Sequence, residues 1–239
     1  MRDQRAIWTS PFHLREGSPW RLIAIGGAST ALLFTDEHTA ARLGDNEGRF
    51  RISSNVSRVG TWYGVAGVTG GFYLVGRATG NAKARETGVL SAEALIDGII
   101  VGQALKAITQ RKRPLDQPGE AKFFNGGVAF PSGHSVNAWA VATVVAHEYD
   151  NLPVQISAYS LAGLVSVSRF TGRRHFLSDI FVGGAIGYGI GRYVYRAHHD
   201  AALDDSGPAG NKTGKWRPRV NPVFSRANRE YGLSLIWGL

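Results

Sequence analysis

The sequence predicts an all-α fold, a compact bundle of about six helices whose active site is formed by loops and helix N-termini at one end. Two observations carry this expectation. Six apolar, charge-poor stretches of helical length recur along the chain, at Leu22 to Phe34, Val59 to Gly76, Ala92 to Leu105, Ser135 to Ala146, Leu152 to Ser168 and Ile180 to Gly191. Glycine, with 31 residues, and alanine are frequent throughout, which lets helices approach closely in either a soluble or a membrane bundle. At 239 residues, 44% hydrophobic and 19% charged, the chain is long enough for one well-packed domain.

Taken in order, residues 1–20 are polar with Trp8, Phe12 and Trp20 among Pro11 and Pro19, and read as an irregular arm that packs across the domain. Residues 21–197 form the helical domain. Inside it, a polar loop runs from Pro114 to Pro131, with Pro118 and three glycines marking turns. Phe123, Phe124 and Phe130 in that loop either line the entrance to a site or plug the loop onto the bundle. The stretch His134 to His147, rich in alanine and valine, reads as a helix that Ser132 would cap. Residues 198–239 read as a flexible linker and C-terminal tail, in which Tyr231, Leu233, Leu235, Trp237 and Leu239 alternate as in a short strand.

The net charge of +9 favours anionic partners, whether phosphorylated substrates, an acidic membrane surface or nucleic acid. No zinc-finger, RNP or P-loop pattern is present and most basic residues are scattered, so nucleic acid is not expected as a partner. The absence of cysteine excludes disulfides, cysteine nucleophiles and thiolate metal sites. Spanning a membrane takes about 20 mostly apolar residues. Val59 to Gly76 reaches 18 without a charge but holds six glycines, and Leu152 to Ser168 contains Pro153 and Gln155. With a mean hydropathy of −0.11, the sequence favours a soluble or peripheral domain, with an integral membrane bundle as the alternative. The first 34 residues lack the layout of a secretory signal, since Leu22 to Phe34 comes late and follows several charges.

Three short segments carry chemistry. Lys106 with Arg113-Pro114, Pro131-Ser132-Gly133-His134, and Ser168-Arg169 followed by His175 and Asp179 together supply the inventory of a phosphate-cleaving site. A transferring phosphoryl group spreads charge over three oxygens, and Lys106, Arg113 and Arg169 suit a clamp on it. A helix starting near Ser132 and Gly133 would aim its free N–H groups at the same anion, with Gly133 allowing close approach. His175 and Asp179 are four apart, so on a helix the carboxylate can grip one imidazole nitrogen and leave the other to attack phosphorus. His134 is then the acid that protonates the departing alkoxide and later activates water. Taken singly, PSGH is a turn entering a helix and His-x3-Asp a surface contact; jointly they point to catalysis. Arg111 and Lys112 are assigned to a solvated basic face, and Arg173 and Arg174 could touch a leaving group. Adjacent His198 and His199 point in different directions on a helix, so no metal site is expected.

These residues resemble the superfamily of type 2 phosphatidic acid phosphatases, bacterial class A acid phosphatases and vanadium haloperoxidases. The signature K-x6-RP, PSGH, SR-x5-H-x3-D stands here as Lys106 to Pro114, Pro131 to His134 and Ser168 to Asp179, intact at all specified positions, and the resemblance covers roughly residues 90 to 195. It implies the same roles: His175, His134 and Asp179 catalytic, and Lys106, Arg113, Ser132, Gly133 and Arg169 binding phosphate, with no cofactor and no metal. The expected function is a metal-independent phosphatase acting on phosphomonoesters, or on lipid phosphates or diphosphates, through a phosphohistidine. The expected partner is a soluble or lipid phosphate ester, and the expected place is periplasmic or extracytoplasmic, with membrane association or integral insertion as alternatives. The rival functions are a vanadate-dependent haloperoxidase, which uses the same cage, and a non-catalytic lipid- or anion-binding protein.

Overall fold

The computed structural model describes residues 4, 7, 19–116, 120–203, 219–225 and 230–236. Residues 1–199 and 200–239 make two compact units. The first is all-α, with α1 (Pro19–Ala41), α2 (Glu47–Ser57), a 3₁₀ turn (Arg58–Gly60), α3 (Trp62–Thr79), α4 (Ala82–Thr109), α5 (Gly133–Glu148), α6 (Leu152–Thr171) and α7 (Leu177–His198).

All six expected helices are present, five of them longer than their apolar stretches and α3 shifted three residues along its own, and α2 is a seventh that the apolar pattern does not predict. The segment EGRFRISSNVS has no apolar run to announce it. Its start is fixed by Asn46, whose side chain accepts from Arg49 N at 2.8 Å. Its polar face is held by the end of α6, where Arg49 Nε donates to Thr171 O at 3.0 Å and the Ser53 and Thr171 hydroxyls meet at 2.8 Å. Tertiary contact with α6 replaces the missing apolar signal. Similar caps start other helices: Thr61 on Gly64 N, Asn81 on Ala84 N and Asn151 on Val154 N. In the N-terminal arm the two described positions, Gln4 and Ile7, are helical rather than irregular, and Gln4 Nε2 donates to Asp97 Oδ1 at 2.7 Å. Trp8, Pro11 and Phe12 lie outside the described residues.

The helix α5 is the centre of the bundle. Val136, Ala140 and Val144, four residues apart, are fully buried, and Ala140 and Val144 pack with Leu90, Ala94 and Val101 of α4 and Ile190 and Val194 of α7. Its neighbouring face carries Val141, which joins Val65 of α3 and Leu95 of α4. A helix apolar on nearly all sides is buried on nearly all sides.

The tight approach between α5 and α7 is made possible by Gly183, Gly187 and Gly191. A Cβ at Gly187 would lie 2.3 Å from Val136 O, one at Gly191 2.3 Å from Ala140 O, and one at Gly183 2.8 Å from Ser132 O. The α7 backbone therefore rests on the carbonyls of α5, and the N-termini of the two helices come together: Ser132 N donates to Asp179 O at 3.0 Å. The same end of the bundle receives the last turns of α4 and α6, which carry Lys106 and Arg169.

In the second unit, β2 (Glu230–Ile236) forms where the alternation predicts a strand, paired antiparallel with β1 (Arg219–Ser225) so that Arg219 faces Ile236 and Ser225 faces Glu230. The expected linker around 204–218, with Trp237 and Leu239, lies outside the described residues. The all-α expectation holds for the helical unit.

Gly187→Val should act on stability and site together. It places a branched side chain against the α5 backbone, so destabilisation of about 1–3 kcal/mol is expected as a drop in thermal unfolding temperature, whereas the same change at Gly163, which has open space around it, should be far milder.

Candidate active site

The α7 N-terminus builds one half of the site. Phe176 stands at the N-cap and brings no polar side chain, so Asp179, three residues on, reaches back and accepts from Phe176 N at 2.9 Å through Oδ2. That same oxygen lies 3.5 Å from His175 Nδ1. The turn that delivers His175 is tied to α6, since Arg174 N and His175 N both donate to Arg169 O. His175 and Asp179 are buried, at 2% and 0% exposure. Burial pushes the His175 imidazole below its ordinary value; Asp179 pulls it back up, and Arg169 and Lys106 push it down. The net lowering keeps His175 neutral at neutral pH. With Nδ1 on the carboxylate side, Nε2 is the nitrogen whose lone pair can attack.

The other half is a cage of cations at the start of α5. Ser132 occupies the N-cap position, as expected, but its side chain makes no capping bond; its Oγ is buried and accepts or donates no hydrogen bond. Gly133 is where a side chain is not tolerated, because a Cβ there would stand 3.1 Å from Lys106 Nζ. Arg113 Nε and Arg169 Nε are likewise buried without a hydrogen-bond partner. Burial and then the positive charges of Arg169, Lys106 and Arg113 push the His134 imidazole down to about 3, charges that an anion in the cage would offset, and those of Arg113 and Arg169 act on Lys106. The structure therefore brings Lys106, Arg113, Arg169, His134, His175, Asp179, Ser132 and Gly133 into one place. Three mutually repelling cations, two of them with an unused buried Nε, form a site for an anion with several oxygens, which is what a phosphoryl group is. A cavity of about 430 Å³ opens beside His134 and Arg169, walled by Phe50, Ser54, Arg58 and Arg174.

Arg111 is a correction. The basic run around it suggests a solvated face, yet Arg111 is 0% exposed and pairs with Asp179 Oδ1 at 2.6 Å and Asp36 Oδ2 at 2.8 Å. The desolvation that a free guanidinium would suffer is met by these carboxylates and by the rings of Phe176 and Phe123, 4.2 and 4.7 Å from its carbon. Phe123, packed edge-on against Phe130 at 5.4 Å, plugs the loop under Arg111, and Phe124 is exposed. Of the two arginines beside His175, Arg173 pairs with Asp45 and Arg174 faces the cavity.

Among the described residues, the group whose donor atoms could hold a metal ion is Glu86, Glu148 and His199, all within 4.8 Å of one another. His199 Nδ1 lies 3.4 Å from each carboxylate, while its neighbour His198 meets Glu93 at 3.0 Å. Glu86 precedes Lys106 by twenty residues on α4, about 30 Å of helix, so this cluster stands at the opposite end of the bundle from the cage.

Comparison with known proteins agrees with this geometry. A family model described as the PAP2 superfamily matches residues 87–202. A lipid A 1-phosphatase of Porphyromonas gingivalis is 33% identical over 69 residues, 28% of this chain and 16% of that one, so the chain spans only a small part of that relative. Two crystal structures share the fold. One is a transmembrane PAP2-type phosphatidylglycerolphosphate phosphatase of Bacillus subtilis, with 22% identity, a TM-score of 0.51, and 82% of this chain and 96% of that chain covered. The other is LpxE of Aquifex aeolicus, with 20% identity, a TM-score of 0.53, and coverage of 64% and 88%.

Arg169→Ala should lower kcat on a phosphate ester by about 10²–10³-fold, whereas Arg173→Ala, which loses only its pair with Asp45, should stay within about twofold. Because the His175 value is lowered, the nucleophile stays neutral as pH falls through the ordinary histidine value of about 6.5, so the acid limb attributable to it in a kcat/KM–pH profile should lie below that pH.

Proposed function

We propose that this protein is a phosphatase of the PAP2 type, whose family model matches residues 87–202, and that it is a membrane-embedded enzyme that removes a terminal phosphate from a lipid, through a phosphohistidine on His175 and without a metal in the reaction. The observation that carries the proposal is the convergence of a carboxylate-backed, buried histidine with three cations, two of which, Arg113 and Arg169, hold a buried Nε donor without a partner.

In the first step His175 Nε2 attacks phosphorus, a P–N bond forms and the bond from phosphorus to the lipid oxygen breaks. His134 gives its proton to that oxygen, so the leaving group departs as an alcohol. Asp179 stabilises the positive charge that His175 acquires. Lys106, Arg113 and Arg169, with the N-terminal N–H groups of α5, hold the three equatorial oxygens while charge builds on them. In the second step the now neutral His134 takes a proton from water, the oxygen attacks phosphorus, and the P–N bond breaks to release inorganic phosphate. Both histidines return to their starting states.

Two features support a lipid substrate and a membrane setting. The outward faces of the helices are apolar: Val89, Ile96, Ile100 and Ile108 on α4 and Leu152, Ile156, Leu161, Leu164 and Val167 on α6 are all at least 45% exposed. The helix α4 is also long and apolar enough to cross a bilayer. In addition, an apolar groove of about 360 Å³ between α3, α5 and α6 is lined by Val59, Val68, Phe72, Val141 and Val165. Val59 adjoins Arg58, and Val165 is one turn before Ser168 and Arg169, all three of which line the polar cavity. A polar head over the cage and an acyl chain in the groove fit this order of surfaces.

The test is phosphate release, with EDTA present, from a lipid phosphate in mixed micelles and from a water-soluble phosphomonoester, by the wild-type protein and by His175→Ala. Turnover of the lipid that persists in EDTA and falls at least about 10³-fold in the mutant is expected. Release confined to the soluble ester would overturn the lipid assignment, and full activity of His175→Ala would overturn the mechanism.

A further inference from the structure

Behind the histidine–aspartate pair lies a second, fully buried set of charges that the proposed reaction does not use. We propose that Arg111 and Asp36 are positioning residues, which hold the Asp179 carboxylate correctly turned toward His175 and thereby couple α1 to the reacting centre. The inference rests on the proposed function for its kinetic test but not for its structural one.

Both terminal nitrogens of the Arg111 guanidinium are engaged. Arg111 Nη1 donates to Asp179 Oδ1 at 2.6 Å and to Ser178 Oγ at 2.7 Å, and Nη2 donates to Asp36 Oδ2 at 2.8 Å. Asp36, on α1, accepts from Ser178 N at 3.1 Å through Oδ1 and from the Ser178 hydroxyl through Oδ2. Arg111, Asp36, Ser178 and Asp179 are all 0% exposed. The two Asp179 oxygens are engaged separately, Oδ1 by Arg111 and Oδ2 by Phe176 N, and Oδ2 also faces His175 Nδ1. Arg111 therefore does not touch the cage. It fixes the rotation of the carboxylate so that Oδ2, and not Oδ1, is presented to the imidazole.

Charge makes Arg111 more than a prop. Asp36 and Asp179 flank one guanidinium, so without it two carboxylates would share a buried site and one would hold a proton. A protonated Asp179 is a poor acceptor for the His175 Nδ1–H, and the tautomer that presents Nε2 for attack would lose its bias. Asp36 cannot then be a bystander. Its negative charge completes the burial of Arg111 in the wild type and becomes harmful once Arg111 is gone.

The experiment compares Arg111→Met, Arg111→Lys, Asp36→Asn and the double variant Asp36→Asn/Arg111→Met, in the full chain in detergent micelles. Arg111→Met is expected to lower kcat on the lipid phosphate about 100-fold with KM changed less than about threefold, and Arg111→Lys to recover at least part of that loss. The double variant is expected to be about tenfold more active than Arg111→Met, because removing the second carboxylate lets Asp179 ionise again. A purely structural role would make the double variant as poor as the worse single one, and that result would overturn the inference, as would Arg111→Met retaining kcat within about twofold. The second readout is nitrogen NMR of labelled His175: one tautomer, protonated at Nδ1, in the wild type and in Asp36→Asn, and a mixed or reversed tautomer in Arg111→Met. If Arg111→Met fails to fold, Arg111→Lys and the double variant carry the same comparison. A wild-type protein inactive on phosphate esters would defeat the proposed function while the NMR comparison still decided this inference.

Discussion

The carboxylate of Asp179 combines three roles that are normally filled by separate groups. It caps α7 by accepting from Phe176 N, it pairs with Arg111, and it lies 3.5 Å from His175 Nδ1. Each role constrains the others, because the carboxylate has two oxygens and one rotation about its last bond. Capping fixes Oδ2 at the helix start, the ion pair fixes Oδ1 behind it, and the histidine then meets an acceptor that cannot turn away. Breaking a buried pair of this kind by removing one partner costs about 3–5 kcal/mol, so the charge network is strongly held as a unit. The N-terminus of α7, the loop before α5 and the last turns of α1 are therefore all located by one side chain.

Helix packing supplies the rest of the placement. The glycines of α7 let its backbone lie on the α5 carbonyls, which sets the two helix N-termini side by side, one offering N–H groups and the other the buried His175 and Asp179 pair. Lys106 and Arg169 arrive from the opposite direction, on helices whose C-terminal ends favour cations. Helix ends of complementary polarity thus gather three positive side chains without a dedicated loop for each. Their mutual repulsion is relieved when a phosphoryl group with three oxygens enters, and most fully in the transition state, where charge builds on those oxygens.

The surface divides sharply into two chemistries. The cavity beside His134 is polar and basic, whereas the outer faces of α4 and α6 and the groove below Val59 are apolar. In water such faces would be a liability; in a bilayer they are satisfied, and the polar backbone is closed within each helix. The lipid phosphate proposed as substrate, with one anionic end and one hydrocarbon end, matches that division.

The catalytic residues are readable in the chain because each is a chemical necessity at a short, fixed spacing. Lys106 and Arg113 fall within eight consecutive residues, Ser132 to His134 within one turn, and His175 and Asp179 within one helical turn. The six long helices are readable from apolar length. By contrast, α2 depends on contacts with Thr171, far along the chain, and has no periodic signal of its own. Arg111 reads as solvated because its partners, Asp36 and Asp179, lie 75 and 68 residues away, and nothing local distinguishes a buried arginine from an exposed one. The sequence by itself determined which groups are proposed to perform the chemistry, since identity and local spacing are one-dimensional properties. Only the tertiary structure decided which charges stand behind them and which surfaces face outward, because burial and ion pairing depend on segments that meet only when the bundle closes.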